Sequence, residues 1–377
     1  QVVLTCNFLW MCQGYYDHKN PYTPQWPGMD RYKGTMIHAQ LWDPKDPRTD
    51  YKGKRVLVIG SGATAATVVP EFAKQAEHVV MLQRSPTYFM CGENKNELAD
   101  RLRQIGIDEP TVHRVVRAQL MYDRDAVIER AKTDPDGVFE DLKNLIRKFS
   151  GKEDFEFEPH FTPRYRPWQQ RLAFCPEGDV FKAAVAGKVS VVTDEIDTFT
   201  EAGVRTKSGE EIEADIIVAA TGFNLLMMGG IPFFVDGKRI DWHETVSYRG
   251  MMFPGVPNML WVMGYFRIAW TLRVEMLGEF VCRLLKHVDA IGAKRFEVAL
   301  RDEDKDMQIH DWIDGEEFNP GYLMRGLKLL PRRGDKPIWR HSQDFWAEYG
   351  TIPQTDLDGD EFVYDGVRAS QRHHETA

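Results

Sequence analysis

Six small residues between an apolar strand pattern and a helical pattern form the first candidate site for chemistry. They follow the apolar run from Val56 to Ile59, and they are Gly60, Ser61, Gly62, Ala63, Thr64 and Ala65. In such a GxGxxA turn the first glycine permits a tight bend, and the second lets backbone N–H groups approach a pyrophosphate at the helix N-terminus. The strand before the turn and the helix after it make the pattern much more specific than the glycine spacing alone. The sequence therefore predicts a dinucleotide site.

The end of the next predicted strand selects the dinucleotide. An NAD site carries an acidic residue there for the ribose hydroxyls, whereas this chain has Gln83, Arg84 and Ser85. A guanidinium and a hydroxyl bind a 2′-phosphate through charge-assisted hydrogen bonds, while a carboxylate repels it. The pattern predicts NADPH as the ligand. The alternative is that Arg84 is only a solvated residue at the end of a strand.

Two further segments, one on each side of this region, carry a histidine and a second glycine turn. The upstream segment contains Tyr32, Gly34, His38 and Trp42, which are spaced two, four and four residues apart. A histidine in such a segment is either a hydrogen-bonded structural residue or a functional one. The downstream segment is an apolar strand pattern that ends in Ala220, Thr221 and Gly222. A strand that ends in this way often brings the chain back against a bound dinucleotide.

Together these motifs resemble the class B flavin-dependent monooxygenases, and most closely the type I Baeyer–Villiger monooxygenases. The fingerprint of that family is FxGxxxHxxx(W/P), which this chain matches with Tyr32 in place of phenylalanine. The GxGxxA turn, the Gln-Arg-Ser strand end and the Ala-Thr-Gly strand follow in the family's order, within residues 1 to about 345. The resemblance implies an α/β flavoprotein with two Rossmann-like dinucleotide-binding domains, for FAD and NADPH, and a helical insertion.

The resemblance also implies a reaction and the residues that support it. In the family NADPH reduces FAD, the reduced flavin reacts with O₂, and a flavin peroxide attacks a ketone carbonyl to give an ester or lactone. An arginine just before a leucine stabilises the anions of this reaction. The matching residue is Arg171, with Arg164 and Arg166 as nearby alternatives. His38 is the second catalytic candidate, although its expected role, like that of Trp42, is to support domain movement and nicotinamide positioning.

The order of these segments divides the chain into six predicted regions. They are the end of an FAD domain with a linker (1–45), the first half of an NADPH domain (46–92), a helical insertion (93–158), the second half of the NADPH domain (159–213), the remainder of the FAD domain with C-terminal helices (214–349) and an acidic tail (350–377). The insertion is recognised by charged segments with apolar residues three and four positions apart.

Three residues outside the NADPH-type motifs are further candidates. Gly14 follows a predicted strand in the first region and is a candidate FAD contact. Tyr265 and Trp270 precede a predicted helix, and in the family that loop lies beside the flavin and the substrate. Packing in the protein core is the alternative reading for both aromatic residues.

Composition and charge limit the partners. The chain has 48 basic and 57 acidic residues and a net charge of −9, so no basic excess exists for general binding of nucleic acid. Five scattered cysteines without a CxxC pair predict reduced thiols in a cytoplasmic protein and no metal framework.

The longest apolar run (216–235) is interrupted by glycines, Asn224 and Pro232, which favours a buried strand and loop over a membrane span. The expected partners are O₂ and a small ketone, sulfide or amine.

The family begins with a separate GxGxxG turn that binds the FAD pyrophosphate. The segment before Gly60 contains no turn of this kind. We therefore expect a fragment of a longer protein, in which FAD binding is weakened. Two alternatives to ketone oxidation remain. The first is an N- or S-oxygenating flavin monooxygenase, in which Arg171 matters less because no adduct oxyanion forms. The second is a non-catalytic NADPH-binding fragment of a longer parent.

Overall fold

The computed structural model describes residues 2–375 and groups them into two compact units. The central unit is His18–Phe223. The split unit combines the stretch up to Asp17 with the stretch from Asn224 onward. This division differs from the predicted boundaries at 45 and 213, because strands from both of those neighbouring regions belong to the sheet of the central unit.

The elements are numbered in chain order. The strands are β1 (Leu9–Met11), β2 (Thr35–His38), β3 (Arg55–Ile59), β4 (His78–Gln83), β5 (Phe89–Gly92), β6 (Ala173–Pro176), β7 (Val189–Thr193), β8 (Ile196–Phe199), β9 (Gly203–Thr206), β10 (Glu211–Glu213), β11 (Ile216–Ala219), β12 (Phe234–Val235), β13 (Lys238–Arg239), β14 (Met259–Trp261), β15 (Phe296–Val298), β16 (Ile309–Asp311), β17 (Arg332–Gly334), β18 (Phe362–Tyr364) and β19 (Val367–Arg368). The α-helices are α1 (Ala63–Phe72), α2 (Glu97–Gln104), α3 (Glu109–Thr133), α4 (Pro135–Ser150), α5 (Asp179–Val185), α6 (Thr271–Ala290), α7 (Gly321–Gly326), α8 (Phe345–Tyr349) and α9 (Ala369–Glu375).

A five-stranded parallel sheet forms the core of the central unit, in the order β2-β11-β3-β4-β7. Its middle strands are almost uninterrupted apolar runs, as a parallel sheet covered on both faces requires. Every residue of β11 is buried, and so are Val56–Ile59 of β3. The predicted α/β class is thus confirmed, and the sheet directs the ends of five strands to one edge.

Helices α2, α3 and α4 lie between β5 and β6 and occupy residues 97–150, inside the segment predicted as a helical insertion. Each helix begins at an N-cap whose side chain accepts a backbone hydrogen bond, and these caps are Asn96, Asp108 and Asp134. Helix α4 buries Val138, Leu142 and Ile146, which share one face because they are four residues apart. That face anchors the inserted helices to the central unit.

A small antiparallel sheet, β8-β9-β10, leads from β7 to β11. It packs apolar side chains against the face of the parallel sheet that carries Leu57, Leu82 and Ile217. After this small sheet the chain enters the parallel sheet again as β11, between β2 and β3, although β11 comes last in the central unit's sequence.

The split unit is built around a methionine- and aromatic-rich core rather than a large sheet. Strand β1 pairs in parallel with β14, and short antiparallel pairs surround them. Met11, Met259 and Trp261 bring these two strands into the same buried cluster. Within residues 2–375, no helix combines the length and the apolar character that crossing a membrane requires.

Candidate functional site

Three adjacent strands of the parallel sheet end at the predicted motifs. The last residues of β2, β11 and β3 are His38, Ala219 and Ile59, and they lie side by side in register. The fingerprint histidine, the Ala-Thr-Gly turn and the first glycine turn therefore meet at the carboxyl edge of the sheet. In open α/β sheets ligands bind at this edge.

The two glycines of the first turn meet opposite surroundings. Gly60 has φ +126°, and a Cβ atom there would lie 2.4 Å from the carbonyl oxygen of Ala220. Gly62 has an ordinary φ of −76°, and a Cβ atom there would meet nothing within 4 Å. Gly60 thus permits the close approach of two strand ends. Gly62 leaves open space in front of the helix.

The N-terminus of α1 has the properties of an anion site. Its N-cap, Gly62, provides no side chain to satisfy the first N–H groups, and its first turn holds no acidic residue. The partial positive charge of a helix N-terminus attracts phosphate groups. Ala65 is fully buried and packs in the core beneath this turn, so its small side chain brings the helix close to the sheet. This surface fits the pyrophosphate of a dinucleotide.

The side chains of two predicted cofactor contacts hold the loops of the site together. The Ser61 hydroxyl donates to the Ser85 carbonyl at 3.2 Å and lies 3.1 Å from the hydroxyl of Thr87. Gln83 is buried, and its amide nitrogen donates to the carbonyl of His160 (2.6 Å) and to the Thr193 hydroxyl (2.8 Å). The sequence motif did not show that these side chains turn toward the protein, because their partners come from distant segments.

Arg84 and Ser85 are exposed at the end of β4, beside the glycine turn. Among the described residues, Arg84 makes no hydrogen bond and no ion pair. The carboxylate of Glu195 lies near it, but that carboxylate binds Lys207 at 2.5 Å. Lys207 first, and Arg84 to a smaller degree, lower the pKa of Glu195. The guanidinium of Arg84 is thus available to an anionic ligand.

His38 is buried and neutral at this edge. Its Nδ1 atom accepts a hydrogen bond from the backbone N–H of Gln40 at 3.1 Å, so the ring proton lies on Nε2. Burial lowers the pKa of His38, and backbone groups of Gly222 and Tyr22 partly oppose that shift. The ends of β2 and β11 form a corner of the site. There the Thr221 hydroxyl donates to the Tyr22 carbonyl at 2.5 Å. His38 therefore presents an N–H group beside the Ala-Thr-Gly turn.

The structure also explains the aromatic residue and the glycine of the fingerprint. The Tyr32 hydroxyl donates to the Ala214 carbonyl at 2.9 Å, and burial raises the pKa of Tyr32 to about 12. A Cβ atom at Gly34 would lie 2.3 Å from the Tyr32 hydroxyl oxygen and 2.9 Å from the Asp215 carbonyl. The pair thus fixes the start of β2 against the segment that leads into β11.

Trp42 does not reach the glycine turn, unlike the other predicted cofactor contacts of the central unit. Its ring packs against Phe72 and Tyr51, with centroid distances of 5.1 and 6.3 Å. Phe72 is the last residue of α1, whereas the glycine turn precedes the first. A helix of this length spans about 15 Å, so the structure places Trp42 at the opposite end of α1. Spacing along the sequence gave no sign of this separation.

Arg171 is exposed and lies two residues before β6. The Ala173 N–H donates to the Tyr88 carbonyl at 2.8 Å, and the neighbouring Thr87 contacts Ser61. The segment of Arg171 is therefore connected to the glycine turn through the loop that follows β4. Thr87 and Tyr22 are site residues that the motifs did not indicate, because each acts through a contact between distant segments.

The three candidates in the split unit have different surroundings. Gly14 follows β1 with φ +74°, and a Cβ atom there would meet nothing within 4 Å. Tyr265 is almost completely buried and donates its hydroxyl to Glu348 at 2.6 Å. Trp270 stacks on Tyr15 with a centroid distance of 5.1 Å. Gly14 fits a close backbone approach by a ligand, whereas the two aromatic residues belong to internal packing.

Comparison with known sequences identifies relatives along almost the whole chain. Residues 5–98 match the family described as flavin-binding monooxygenase-like. The chain is 38% identical over 370 residues to the FAD-containing monooxygenase EthA of Mycobacterium tuberculosis, which covers 98% of this chain and 73% of EthA. It is 36% identical over 354 residues to the probable FAD-binding monooxygenase AlmA of Acinetobacter baylyi, covering 93% and 69% of the two chains.

Solved structures share the fold at lower sequence identity. A steroid monooxygenase bound to NADP aligns with a TM-score of 0.66 and 19% identity, over 96% of this chain and 75% of that one. The complex of OTEMO with FAD and NADP aligns with a TM-score of 0.60 and 21% identity, over 79% and 64%. A cyclohexanone monooxygenase bound to ε-caprolactone gives 0.64 and 17%, over 95% and 74%.

Proposed function

Because the chain belongs to the flavin-binding monooxygenase-like family of FAD-containing monooxygenases, we propose that it is an NADPH- and FAD-dependent monooxygenase that inserts one oxygen atom of O₂ next to a ketone carbonyl. The observation that carries this proposal is the carboxyl edge of the central sheet, where His38 and the two glycine turns meet. The proposed fold assignment is a pair of dinucleotide-binding domains, with NADPH on the central unit and FAD on the split unit.

The NADPH site is proposed from the charges and open space around α1. The first N–H groups of α1 bind the pyrophosphate, since Gly62 leaves the approach clear. Arg84 and Ser85 bind the 2′-phosphate, and Arg84 makes no hydrogen bond and no ion pair with the described residues. The Nε2–H of His38 orients the nicotinamide end by donating a hydrogen bond, because its Nδ1 atom is already an acceptor.

The FAD site is proposed at Gly14, whose backbone permits a close approach. When bound, the flavin accepts a hydride and supplies the activation of O₂. Arg171 contributes a fixed positive charge that stabilises the oxyanion formed when a nucleophile adds to the ketone carbon. The substrates are O₂ and a small ketone. The proposed location is the cytoplasm, from the five scattered cysteines without a CxxC pair.

Replacing Arg84 tests the nucleotide assignment. We expect Arg84→Ala to raise the Kd of NADPH about 10- to 100-fold, because a hydrogen-bonded charge contributes about 1.5–3 kcal/mol. The Kd of NADH should stay within about twofold, since NADH has no 2′-phosphate for this charge to bind. Both values are measured by fluorescence titration of the purified chain. Arg205→Ala, which removes an exposed arginine of β9, is the matched control. Equal losses for both nucleotides would contradict the assignment.

Replacing Arg171 tests the reaction. We expect Arg171→Ala to lower kcat for ketone oxidation by about 100-fold or more, as loss of an oxyanion-stabilising group does, while sulfide oxidation stays within about threefold. The measurements are ester formation and sulfoxide formation by gas chromatography, with the Kd of NADPH as a check on folding. Arg164→Ala is the control, since Arg164 is exposed in the same segment. Unchanged ketone turnover would exclude the role of Arg171. Sulfide oxidation without any ketone oxidation by the unaltered chain would favour an N- or S-oxygenating enzyme. A chain that binds NADPH but retains no flavin absorbance would favour the non-catalytic alternative.

A further inference from the structure

A cavity in the split unit is lined by none of the residues assigned above to NADPH or FAD. Its volume is about 340 Å³, within the range of small-molecule sites. Its apolar walls are formed by Phe266, Trp312, Ile313 and Phe318. Phe266 and Phe318 stack with a centroid distance of 6.0 Å and an interplanar angle of 24°. These walls fit a flat, apolar group, and an aromatic ring above all.

The charges around the cavity balance. The charged residues that line it are Arg267, Arg333, Arg340, Asp314, Glu317 and Asp344. Several of these groups are engaged with neighbours: Arg267 lies over the Phe318 ring at 4.9 Å, and the Asp344 carboxylate caps α8. Three cations and three carboxylates give no net charge, so the lining favours an uncharged ligand over an anion or a cation.

Two buried N–H groups in the lining need an acceptor. Trp312 is 3% exposed, and its indole Nε1–H has no hydrogen-bond partner among the described residues. His341 is 6% exposed, and its Nε2 atom also has none. The two rings are neighbours, with a centroid distance of 5.4 Å. An unpartnered buried donor costs free energy, so a ligand acceptor that reaches these groups gains more than it would in water.

The hydrogen bonds of Gln343 determine the tautomer of His341. The Gln343 amide oxygen accepts from the Phe266 N–H at 2.9 Å, so its NH₂ group faces His341 Nδ1 at 2.6 Å and donates to it. Nδ1 is thus an acceptor, and the ring proton lies on Nε2. Burial holds the pKa of His341 well below its usual value, against a smaller opposing effect of the Met263 and Gly264 backbone. His341 is therefore neutral, and its Nε2 atom carries a hydrogen, as the Nε1 atom of Trp312 does.

We propose that this cavity is a binding site for an uncharged aromatic molecule that carries a hydrogen-bond acceptor, held by the Trp312 and His341 N–H groups against the walls formed by the Phe266 and Phe318 rings. A carbonyl or ester oxygen is the acceptor that matches two adjacent N–H donors.

The test uses the full chain and three probes of similar size. Methyl benzoate has the ring and the acceptor, sec-butylbenzene has the ring without the acceptor, and methyl cyclohexanecarboxylate has the acceptor without the ring. We expect saturable binding of methyl benzoate in isothermal titration calorimetry, about tenfold tighter than sec-butylbenzene, which is about 1.4 kcal/mol. The saturated ester should also bind more weakly than methyl benzoate. Equal affinity of methyl benzoate and sec-butylbenzene, or no saturable binding, would overturn the proposal.

Trp312→Phe keeps an aromatic wall and removes one donor. We expect this variant to lose most of the tenfold preference for methyl benzoate, whereas Trp10→Phe, a tryptophan of β1 outside the cavity, should retain it. Equal effects of the two substitutions would refute the role of Trp312, and the probe series on the unaltered chain remains decisive if a variant does not fold.

Methyl benzoate is already an ester, so its binding is independent of ketone oxidation. Competition with a ketone substrate would identify the cavity as part of the substrate site, and an unchanged KM would identify a separate ligand site.

Discussion

Gly60→Ala is expected to destabilise the protein by about 3 kcal/mol, since strained backbone and a forced shift in a packed region each cost roughly 1–3 kcal/mol. The added methyl group would stand 2.4 Å from the Ala220 carbonyl oxygen, and φ is +126° at this position. The ends of β3 and β11 would have to separate, which would also disturb the corner that holds His38. Urea unfolding followed by circular dichroism measures the loss.

Gly62→Ala is the matched control, because it adds the same methyl group two residues away. The methyl group meets open space and φ is −76°, so the free energy of unfolding should change by no more than about 0.5 kcal/mol. The Kd of NADPH should rise about tenfold or more, since the methyl group occupies the approach to the helix N-terminus. If both variants are equally stable, or if Gly62→Ala binds NADPH normally, the assigned geometry of the turn is wrong.

Glu348→Ala is expected to destabilise the split unit by about 3–5 kcal/mol, because it leaves a buried arginine without its counter-charge. The Arg273 side chain is fully buried and its Nε atom donates to Glu348 at 2.8 Å. The Tyr265 hydroxyl donates to the same carboxylate. Removal of Glu348 therefore deprives two buried donors of one acceptor. Calorimetric unfolding with a separate transition for each unit, or tryptophan fluorescence in urea, measures the effect.

A surface ion pair of the same unit provides the comparison. Glu244 binds Arg332 at 3.1 Å, but its side chain is 69% exposed, so Glu244→Ala should cost less than about 1 kcal/mol. The double variant Arg273→Met, Glu348→Leu should be more stable than Glu348→Ala, because no charge remains buried. Equal destabilisation by Glu348→Ala and Glu244→Ala would show that the buried pair is not stabilised as the geometry indicates.

The glycine turn was predictable because strand, turn and helix adjoin in the sequence. The same holds for the exposed Arg84 and for the α/β class, since apolar runs and turns repeat along the chain. The directions of Gln83 and Trp42 were not predictable, because His160, Thr193 and Phe72 meet them only after the sheet has formed. Local patterns identify a glycine turn between a strand and a helix. They do not identify which nearby side chains are used to hold the turn.

Tyr265 illustrates the same limit in the split unit. Its place in a loop that lies beside the flavin in the family made it a candidate for ligand contact, with packing in the core as the alternative. Its hydroxyl is bonded to Glu348, which lies 83 residues further along the chain. The cavity lined by Trp312 and His341 was likewise invisible in the sequence, because neither residue belongs to a motif. Its lining depends on how β16, β17 and the segment before α8 pack together.

The place of β11 in the sheet has a consequence for how the chain folds during synthesis. β11 lies between β2 and β3, and β2 pairs with no other strand of the described chain. Strand β3 can pair with β4, and β4 with β7, as soon as those segments are made. β2 must wait until Ile216–Ala219 has left the ribosome, with one edge of β3 unpaired in the meantime. Such long-range pairing slows folding and leaves an edge open to wrong partners. The last pairing step of this sheet also completes the corner that contains His38.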